Sequence, residues 1–168
     1  MIDPQQLMSC IIRPVLTAMG MHSEAAEQLI LGTIAVESDC GTYLQQKHGG
    51  PALGICQIEP RTAHDLLHRY LIRRGDVDLR FQRAFQVVND ARLKWDRIDI
   101  DKIKLKLVSD LRFSVGLCRL RYWVVPKPLP APGDLAGLAG YWVEHYNAGG
   151  KGATAKYVQT WDVYCRDK

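Results

Sequence analysis

The feature that most constrains this chain is an apolar run, Gln28 to Val36, that ends on a single carboxylate, Glu37. Ser23 is a suitable N-cap for a helix through this run, and the acids that follow it would lie in the first turn, where the helix dipole favours negative charge. Gly41 stands where a helix-ending glycine is expected. The run therefore predicts a helix with an apolar face and one acid at its C-terminal end.

Glu37 shares one helical face with Ala26, Ile30 and Thr33. Because that face is mostly apolar, we expect the carboxyl to point toward the interior, where burial favours its protonated form. An acid held protonated near neutral pH is suited to general-acid catalysis. The alternative is an acid in solvent at a frayed helix end, and this helix alone does not decide between the two.

Length and composition are those of one globular domain. The chain has 168 residues, of which 47% are hydrophobic and 24% charged, so we take residues 1–168 as a single domain. The net charge of +4 suits an anionic partner such as peptidoglycan, nucleic acid or a membrane surface, without distinguishing them. The apolar runs are too short to span a bilayer, and the N-terminus lacks the pattern of a signal peptide.

The spacing of the cysteines and histidines indicates neither a disulfide framework nor a metal site. The five cysteines are odd in number and show no C-x-x-C spacing, which indicates neither a zinc site nor a complete set of disulfides, and favours a reducing compartment. A bridge between Cys40 and Cys56 stays open. His64 and His68 have a helical ligand spacing but lack the accompanying acid, so we expect no metal and no cofactor.

Periodicity predicts a mainly α protein with few strands. Residues 42–60 are glycine-rich and aperiodic and are expected to form a loop, and residues 126–133 a proline-rich turn. For residues 98–104 we favour an extended link, although their alternation could also form a strand. Besides the Glu37 helix, helices are predicted at residues 4–19, 62–70, around 81–88, 105–124, 135–145 and 153–164. Residues 73–76 are expected to break the chain after the helix at 62–70, and Asp134 to cap the helix at 135–145.

Three short segments stand out together: Glu37-Ser38, then Gly-Ile-Cys-Gln-Ile-Glu-Pro at 54–60, then Tyr-Asn-Ala-Gly at 146–149. In content and order they resemble the soluble-type lytic transglycosylases, a family that shares a lysozyme-like fold with goose-type lysozymes. Within that family they are most similar to the phage-encoded branch. The resemblance is clear over residues 31–65 and 141–158. Between these two ranges only the general layout of the chain is similar. It implies a lysozyme-like fold of roughly seven helices with at most a small β element.

The resemblance also implies an activity. Such enzymes cleave the MurNAc-β-1,4-GlcNAc bond of peptidoglycan and form 1,6-anhydroMurNAc without water, with one glutamate acting first as acid and then as base. Glu37 matches that glutamate. Tyr146 matches the tyrosine whose hydroxyl holds the catalytic carboxyl, and Gln57 matches a contact to the sugar acetamido group. Ser38 and Asn147 are the remaining expected substrate contacts.

Three of these assignments have a structural alternative. Ser38 could serve only in hydrogen bonding at the helix end, Tyr146 could be a core aromatic residue, and Asn147 could brace a turn. The chain also departs from the family pattern at Cys56, which replaces a methionine, and at His145, which replaces an alanine.

A second carboxylate would change the chemistry. Glu59 stands where many relatives have an apolar residue and is a secondary candidate, although an acid before Pro60 also suits a helix start. Asp39 is expected to face solvent. If either carboxylate acted, the alternative is a hydrolytic lysozyme on the same fold, and a further alternative is a non-catalytic, glycan-binding virion protein.

The expected partners are peptidoglycan glycan strands and other phage virion proteins, with no nucleic acid. Without a signal peptide, such a protein would be made in the host cytoplasm. It would then be carried in the virion, or released as an endolysin to act on periplasmic peptidoglycan.

Overall fold

The computed structural model describes residues 1–71, 73–84, 98–147 and 153–165, and over these ranges the protein is mainly helical. Two π-helical segments, Leu7–Ile12 and Leu66–Leu71, continue the first and fourth helices. The α-helices of these ranges are α1 (Pro4–Gln6), α2 (Arg13–Met19), α3 (Glu24–Ser38), α4 (Pro60–Asp65), α5 (Gly75–Arg83), α6 (Ile100–Ser109), α7 (Leu111–Trp123), α8 (Leu135–His145) and α9 (Thr154–Tyr164). None of the described helices is both long and apolar enough to cross a bilayer.

Helix α3 is the central element. It packs against α7, α8, α9 and the N-terminal π-helical segment, and most of its side chains are buried. Ser23 caps it as predicted, because its hydroxyl accepts a hydrogen bond from the Ala26 N–H at 3.1 Å. The helix ends at Ser38, and Asp39, Cys40 and Gly41 follow with φ of 49°, 50° and 79°. The expected glycine is therefore the last of three left-handed residues.

The N-terminal helical stretch also follows its sequence signals, with Asp3 as cap and Gly20 ending it at φ 63°. The buried carboxylate of Glu27 joins this stretch to α3. Arg13 donates two hydrogen bonds to it, at 2.7 and 3.0 Å, and His22 lies 2.8 Å away. Burial would raise the pKa of Glu27, but these partners outweigh it and lower the pKa overall.

The 42–60 region is a loop, as predicted, up to the start of α4. Two isolated antiparallel bridges, Gln45 to Leu53 and Leu53 to Ile58, form its small β element. Gly54 has a φ of 75°, and a Cβ there would lie 2.0 Å from the carbonyl oxygen of Leu107. Only glycine allows the loop to seat this closely against the end of α6.

The predicted extended link and single long helix across 98–124 are wrong. Asp99 caps α6, because its side chain accepts a hydrogen bond of 2.8 Å from the Lys102 N–H. Asp110 then separates α6 from α7 and caps α7, accepting from the Phe113 N–H at 3.0 Å. The charges that suggested alternation thus belong to an amphipathic helix flanked by two acidic caps.

The other predicted helices are present with shifted bounds. Helix α5 begins at Gly75, inside the predicted break, whereas the predicted helical residues 85–88 lie outside the described ranges. Asp134 caps α8 as predicted. Helix α9 packs on α3 at one point of close approach, where a Cβ on Gly32 would lie 2.0 Å from the Tyr157 hydroxyl.

Candidate active site

Glu37 lies in the last turn of α3, half-buried, at a cavity of about 290 Å³. The end of α3, the 42–60 loop and the first turn of α9 each contribute to the walls. The lining residues are Val36, Glu37, Asp39, Tyr43, Gln45, Gln46, Lys47, Gln57 and Lys156. The carboxyl is therefore neither fully exposed nor sealed in the core, which agrees with the predicted interior orientation.

Burial raises the pKa of Glu37. Three groups act in the opposite direction without cancelling it: a hydrogen bond from the Trp142 indole N–H, and the positive charges of Lys156 and Arg121. The indole nitrogen lies 3.1 Å from Oε1 of Glu37. Burial in the site thus favours the protonated form of Glu37. The Trp142 N–H and the two cations would stabilise the carboxylate once the proton has left.

Gln57 lies on the loop wall of the same cavity, with a left-handed φ of 47°. Its Nε2 donates to the carbonyl oxygen of Gly54 at 2.9 Å and to that of Tyr43 at 3.4 Å. Within the described ranges its Oε1 accepts no hydrogen bond. The amide is therefore held by its donor end, and its acceptor end is left for a ligand N–H.

Ser38 does not face the cavity. It is fully buried, and its hydroxyl donates to the Ile55 carbonyl oxygen at 2.7 Å and accepts from the Gly41 N–H at 2.9 Å. It ties the end of α3 to the loop, which is the structural role that the sequence left open.

Tyr146 does not contact the Glu37 carboxyl, contrary to what the resemblance implies. Its buried hydroxyl donates instead to the carbonyl oxygen of Cys56 at 2.7 Å, beside Gln57 in the chain. The Arg121 guanidinium lies 4.0 Å from the centre of the Tyr146 ring and donates to its carbonyl oxygen. Tyr146 therefore positions the loop rather than the acid.

Trp142 makes the contact expected of Tyr146. It lies one turn earlier on α8, almost fully buried, so its indole N–H needs a partner. A tryptophan one turn before the Tyr-Asn-Ala-Gly segment is the sequence feature that marks it as a second candidate for this contact.

Asn147 and Glu59 lie away from the Glu37 cavity. Asn147 follows α8, and its backbone N–H donates to the Trp142 carbonyl oxygen at 3.0 Å. Glu59 is exposed before α4 and lines a neighbouring cavity of about 960 Å³. The carboxylate that does share the cavity with Glu37 is Asp39, which was expected in solvent and lies 3.5 Å from the Lys47 ammonium.

Three further residues of the cavity wall, Tyr43, Lys47 and Lys156, lie outside the sequence motifs. Tyr43 is exposed at 38%, and the Lys47 ammonium lies 3.8 Å from the centre of its ring. Lys156 comes from α9, far along the chain, so only the packing of α9 on α3 brings it to the site.

In the part of the chain that the structure describes, the site has neither a cluster of metal-binding side chains nor a disulfide. No group of three or more His, Cys, Asp or Glu side chains there could hold a metal ion. His64 and His68 stack on each other, with ring centres 4.0 Å apart. Cys56 carries a free thiol, so it forms no bridge to Cys40.

No protein-family model matches this chain, and neither the curated proteins nor the solved structures compared with it gave a match. Its function has to be inferred from the chemistry of the Glu37 cavity.

Proposed function

We propose that this protein is a phage-type lytic transglycosylase that cleaves the MurNAc-β-1,4-GlcNAc bond of peptidoglycan, with Glu37 as general acid and then base. The observation that carries the proposal is the half-buried Glu37 carboxyl, whose pKa is raised by burial, at the wall of an open cavity. A protonated acid with access to a ligand is what protonation of a glycosidic oxygen requires.

The reaction would proceed in two steps. Glu37 donates its proton to the glycosidic oxygen, and the carbonyl oxygen of the substrate's own 2-acetamido group bonds to the sugar's anomeric carbon as the leaving sugar departs. The Glu37 carboxylate then takes the proton of the 6-hydroxyl, whose oxygen displaces the acetamido group and closes the 1,6-anhydro ring. No water is consumed, and Glu37 ends protonated.

Two residues would assist these steps from their observed positions. The free acceptor of the Gln57 amide suits the N–H of an acetamido group. The Trp142 N–H, which already contacts Glu37, would stabilise the carboxylate between the two steps.

A polymeric substrate is supported by the shape of the surface. Gln45 lines both the Glu37 cavity and the neighbouring cavity of about 960 Å³, so the two adjoin. The second cavity runs between the 42–60 loop and α6, with Leu53 and Leu105 among its apolar walls. A groove longer than one site suits several consecutive sugars better than a small metabolite.

The lysozyme-like fold is part of the same proposal. Its support is a central helix that ends on an acid, a following loop with two antiparallel bridges, and a late helix that contacts the acid. We further propose the phage setting implied by the resemblance, with virion proteins as partners and periplasmic peptidoglycan as the target.

Hydrolysis is the second candidate, and Asp39 is the observation that favours it. An inverting glycosidase uses a second carboxylate to activate water on the far side of the sugar. Asp39 lines the Glu37 cavity, whereas Glu59 does not. A lysozyme with Asp39 as base is therefore the alternative to transglycosylation.

Digestion of purified peptidoglycan sacculi tests the proposed acid. The wild-type protein should release soluble glycan fragments, and Glu37→Gln should reduce the rate by roughly 10²–10⁴-fold, the usual contribution of a general acid. Glu24→Gln is the matched control, because Glu24 lies at the other end of α3, exposed to solvent. Equal rates for wild type and Glu37→Gln would reject the assignment.

A further inference from the structure

We propose that Lys47 and Lys156 make the Glu37 cavity selective for anionic glycans, by binding a carboxylate that the muramoyl residue carries. This inference rests on the proposed function and names a feature of the substrate that the reaction itself does not require. Both lysines line the cavity, Lys47 from a short turn in the loop and Lys156 from the first turn of α9.

The two ammonium groups differ in how they are compensated. Lys47 is partly neutralised, with its ammonium 3.5 Å from Asp39 and above the ring of Tyr43. The Lys156 ammonium forms no hydrogen bond or ion pair with any described residue, although its charge acts on Glu37. It is exposed and therefore available to an incoming anion.

The charge of the cavity follows from its four ionisable acids and lysines, Glu37, Asp39, Lys47 and Lys156. When Glu37 is protonated, as the first step requires, the lining carries the positive charges of Lys47 and Lys156 against the single negative charge of Asp39. The catalytically competent form is thus cationic by one charge. A neutral glycan leaves that charge unmatched, whereas a carboxylate on the sugar pairs with it.

The position of Lys156 is fixed by its neighbour in the chain. Tyr157 is fully buried over Gly32 of α3, and its hydroxyl donates toward the Gln28 carbonyl oxygen at 3.3 Å. This close packing holds the first turns of α9 beside the helix that carries Glu37. The cation and the acid therefore keep their spacing without a direct contact.

The ligand chemistry is a carboxylate attached to an N-acetylated sugar. Muramic acid carries a lactyl carboxylate when it is free of peptide, and it carries the carboxylates of its stem peptide when it is not. Chitin has the same acetamido groups and linkage but no carboxylate. The two lysines would thus discriminate peptidoglycan from chitin.

Calorimetric titration of the Glu37→Gln protein tests this without turnover. The probes are chitotetraose, a GlcNAc–MurNAc tetrasaccharide with free lactyl groups, and the same tetrasaccharide with stem peptides. At least one muramoyl probe should bind about five- to tenfold more tightly than chitotetraose, the scale of a partly exposed charge pair. Which probe gains identifies the carboxylate, and added salt should weaken only that binding.

Lys156→Gln in the same background should remove this preference and leave chitotetraose binding unchanged, whereas Lys156→Arg should retain it. Lys127→Gln, which changes an exposed lysine outside the cavity that pairs with Glu144, is the control. Equal binding of all three probes, or equal weakening of all three by Lys156→Gln, would overturn the inference.

The failure of this inference can be told apart from the failure of the proposed function. Degradation of sacculi by wild type with no charge preference would reject this inference alone, while charge-selective binding without degradation would reject the enzymatic proposal alone.

Discussion

The indole N–H of Trp142 donates a hydrogen bond of 3.1 Å to Oε1 of Glu37, joining the middle of α8 to the end of α3. This bond favours the carboxylate, while burial favours the neutral acid, and burial has the larger effect on the pKa of Glu37. The two opposed influences suit a group that must give up a proton and then take one back. Trp142 is thus the positioning residue of the proposed reaction.

Trp142→Phe should raise the pKa of Glu37 further, because it removes a donor that stabilises the charged form. Activity that requires the protonated acid falls as pH rises through this pKa, so the alkaline limb of the pH–rate profile should move to higher pH. The profile can be measured on soluble glycan strands. Trp161→Phe, in α9, is the control and should leave the limb in place; a shift of the Trp142→Phe limb to lower pH would contradict the assignment.

Glu37 should also give stability a characteristic pH dependence. Its pKa is higher in the folded protein than in the unfolded chain, so the folded state binds more protons between the two values, and the free energy of unfolding falls as pH rises there. The favourable contribution is complete below the unfolded pKa and is lost as pH passes through the folded one.

Glu37→Gln cannot titrate, so its stability relative to wild type should increase as pH rises from the ordinary pKa of a glutamate in the unfolded chain through the higher pKa of Glu37 in the folded protein. Urea unfolding of both proteins at several pH values measures the difference. A stability difference that does not change with pH, or that changes in the opposite sense, would mean that the carboxyl is not held in its protonated form.

Gly54→Ala should destabilise the protein by about 2–5 kcal/mol, because the new methyl group would overlap the Leu107 carbonyl oxygen and the φ is left-handed. Gly49→Ala is a matched control: its φ is 77°, close to the 75° of Gly54, but nothing lies within 4 Å of the added Cβ. The control should therefore show the backbone cost alone, about 1–2 kcal/mol. Denaturant unfolding measures both, and equal losses would show that the loop does not seat tightly on α6.

Tyr146→Phe should cost about 1–3 kcal/mol of stability, since it leaves the Cys56 carbonyl oxygen without its donor. It should also loosen the loop that carries Gln57 and so raise KM more than it lowers kcat. Tyr122→Phe removes a comparable buried hydroxyl, bonded to Thr33 at 2.7 Å, outside the loop. Comparable stability losses with a KM effect in Tyr146→Phe alone would support the positioning role; a large kcat loss with unchanged KM would argue for direct catalysis.

The sequence predicted most reliably what local chemistry decides. Ser23 and Asp134 mark the starts of their helices, because an N-cap hydrogen bond involves only the capping side chain and an N–H of the first turn. The same logic was available at Asp99 and Asp110, but the alternation of lysines with apolar residues between them masked the caps of α6 and α7.

Of the residues that the sequence singled out for the site, only Glu37 and Gln57 line the cavity, and the contacts of the acid were not predictable. Which buried donor reaches the acid depends on how α8 is rotated against α3. One turn of helix separates Trp142 from Tyr146, and the sequence does not specify which faces the carboxyl. Lys156 could not be predicted, because only tertiary packing brings α9 beside Glu37.

Mass analysis of the muropeptides released from sacculi by the wild-type protein tests the central claim most directly. Transglycosylation by Glu37 alone predicts fragments ending in 1,6-anhydroMurNAc, lighter by one water than hydrolysed ends, which Glu37→Gln should release roughly 10²–10⁴-fold more slowly. Fragments with only reducing muramic ends would contradict the proposed mechanism and favour hydrolysis with Asp39 as the second carboxylate.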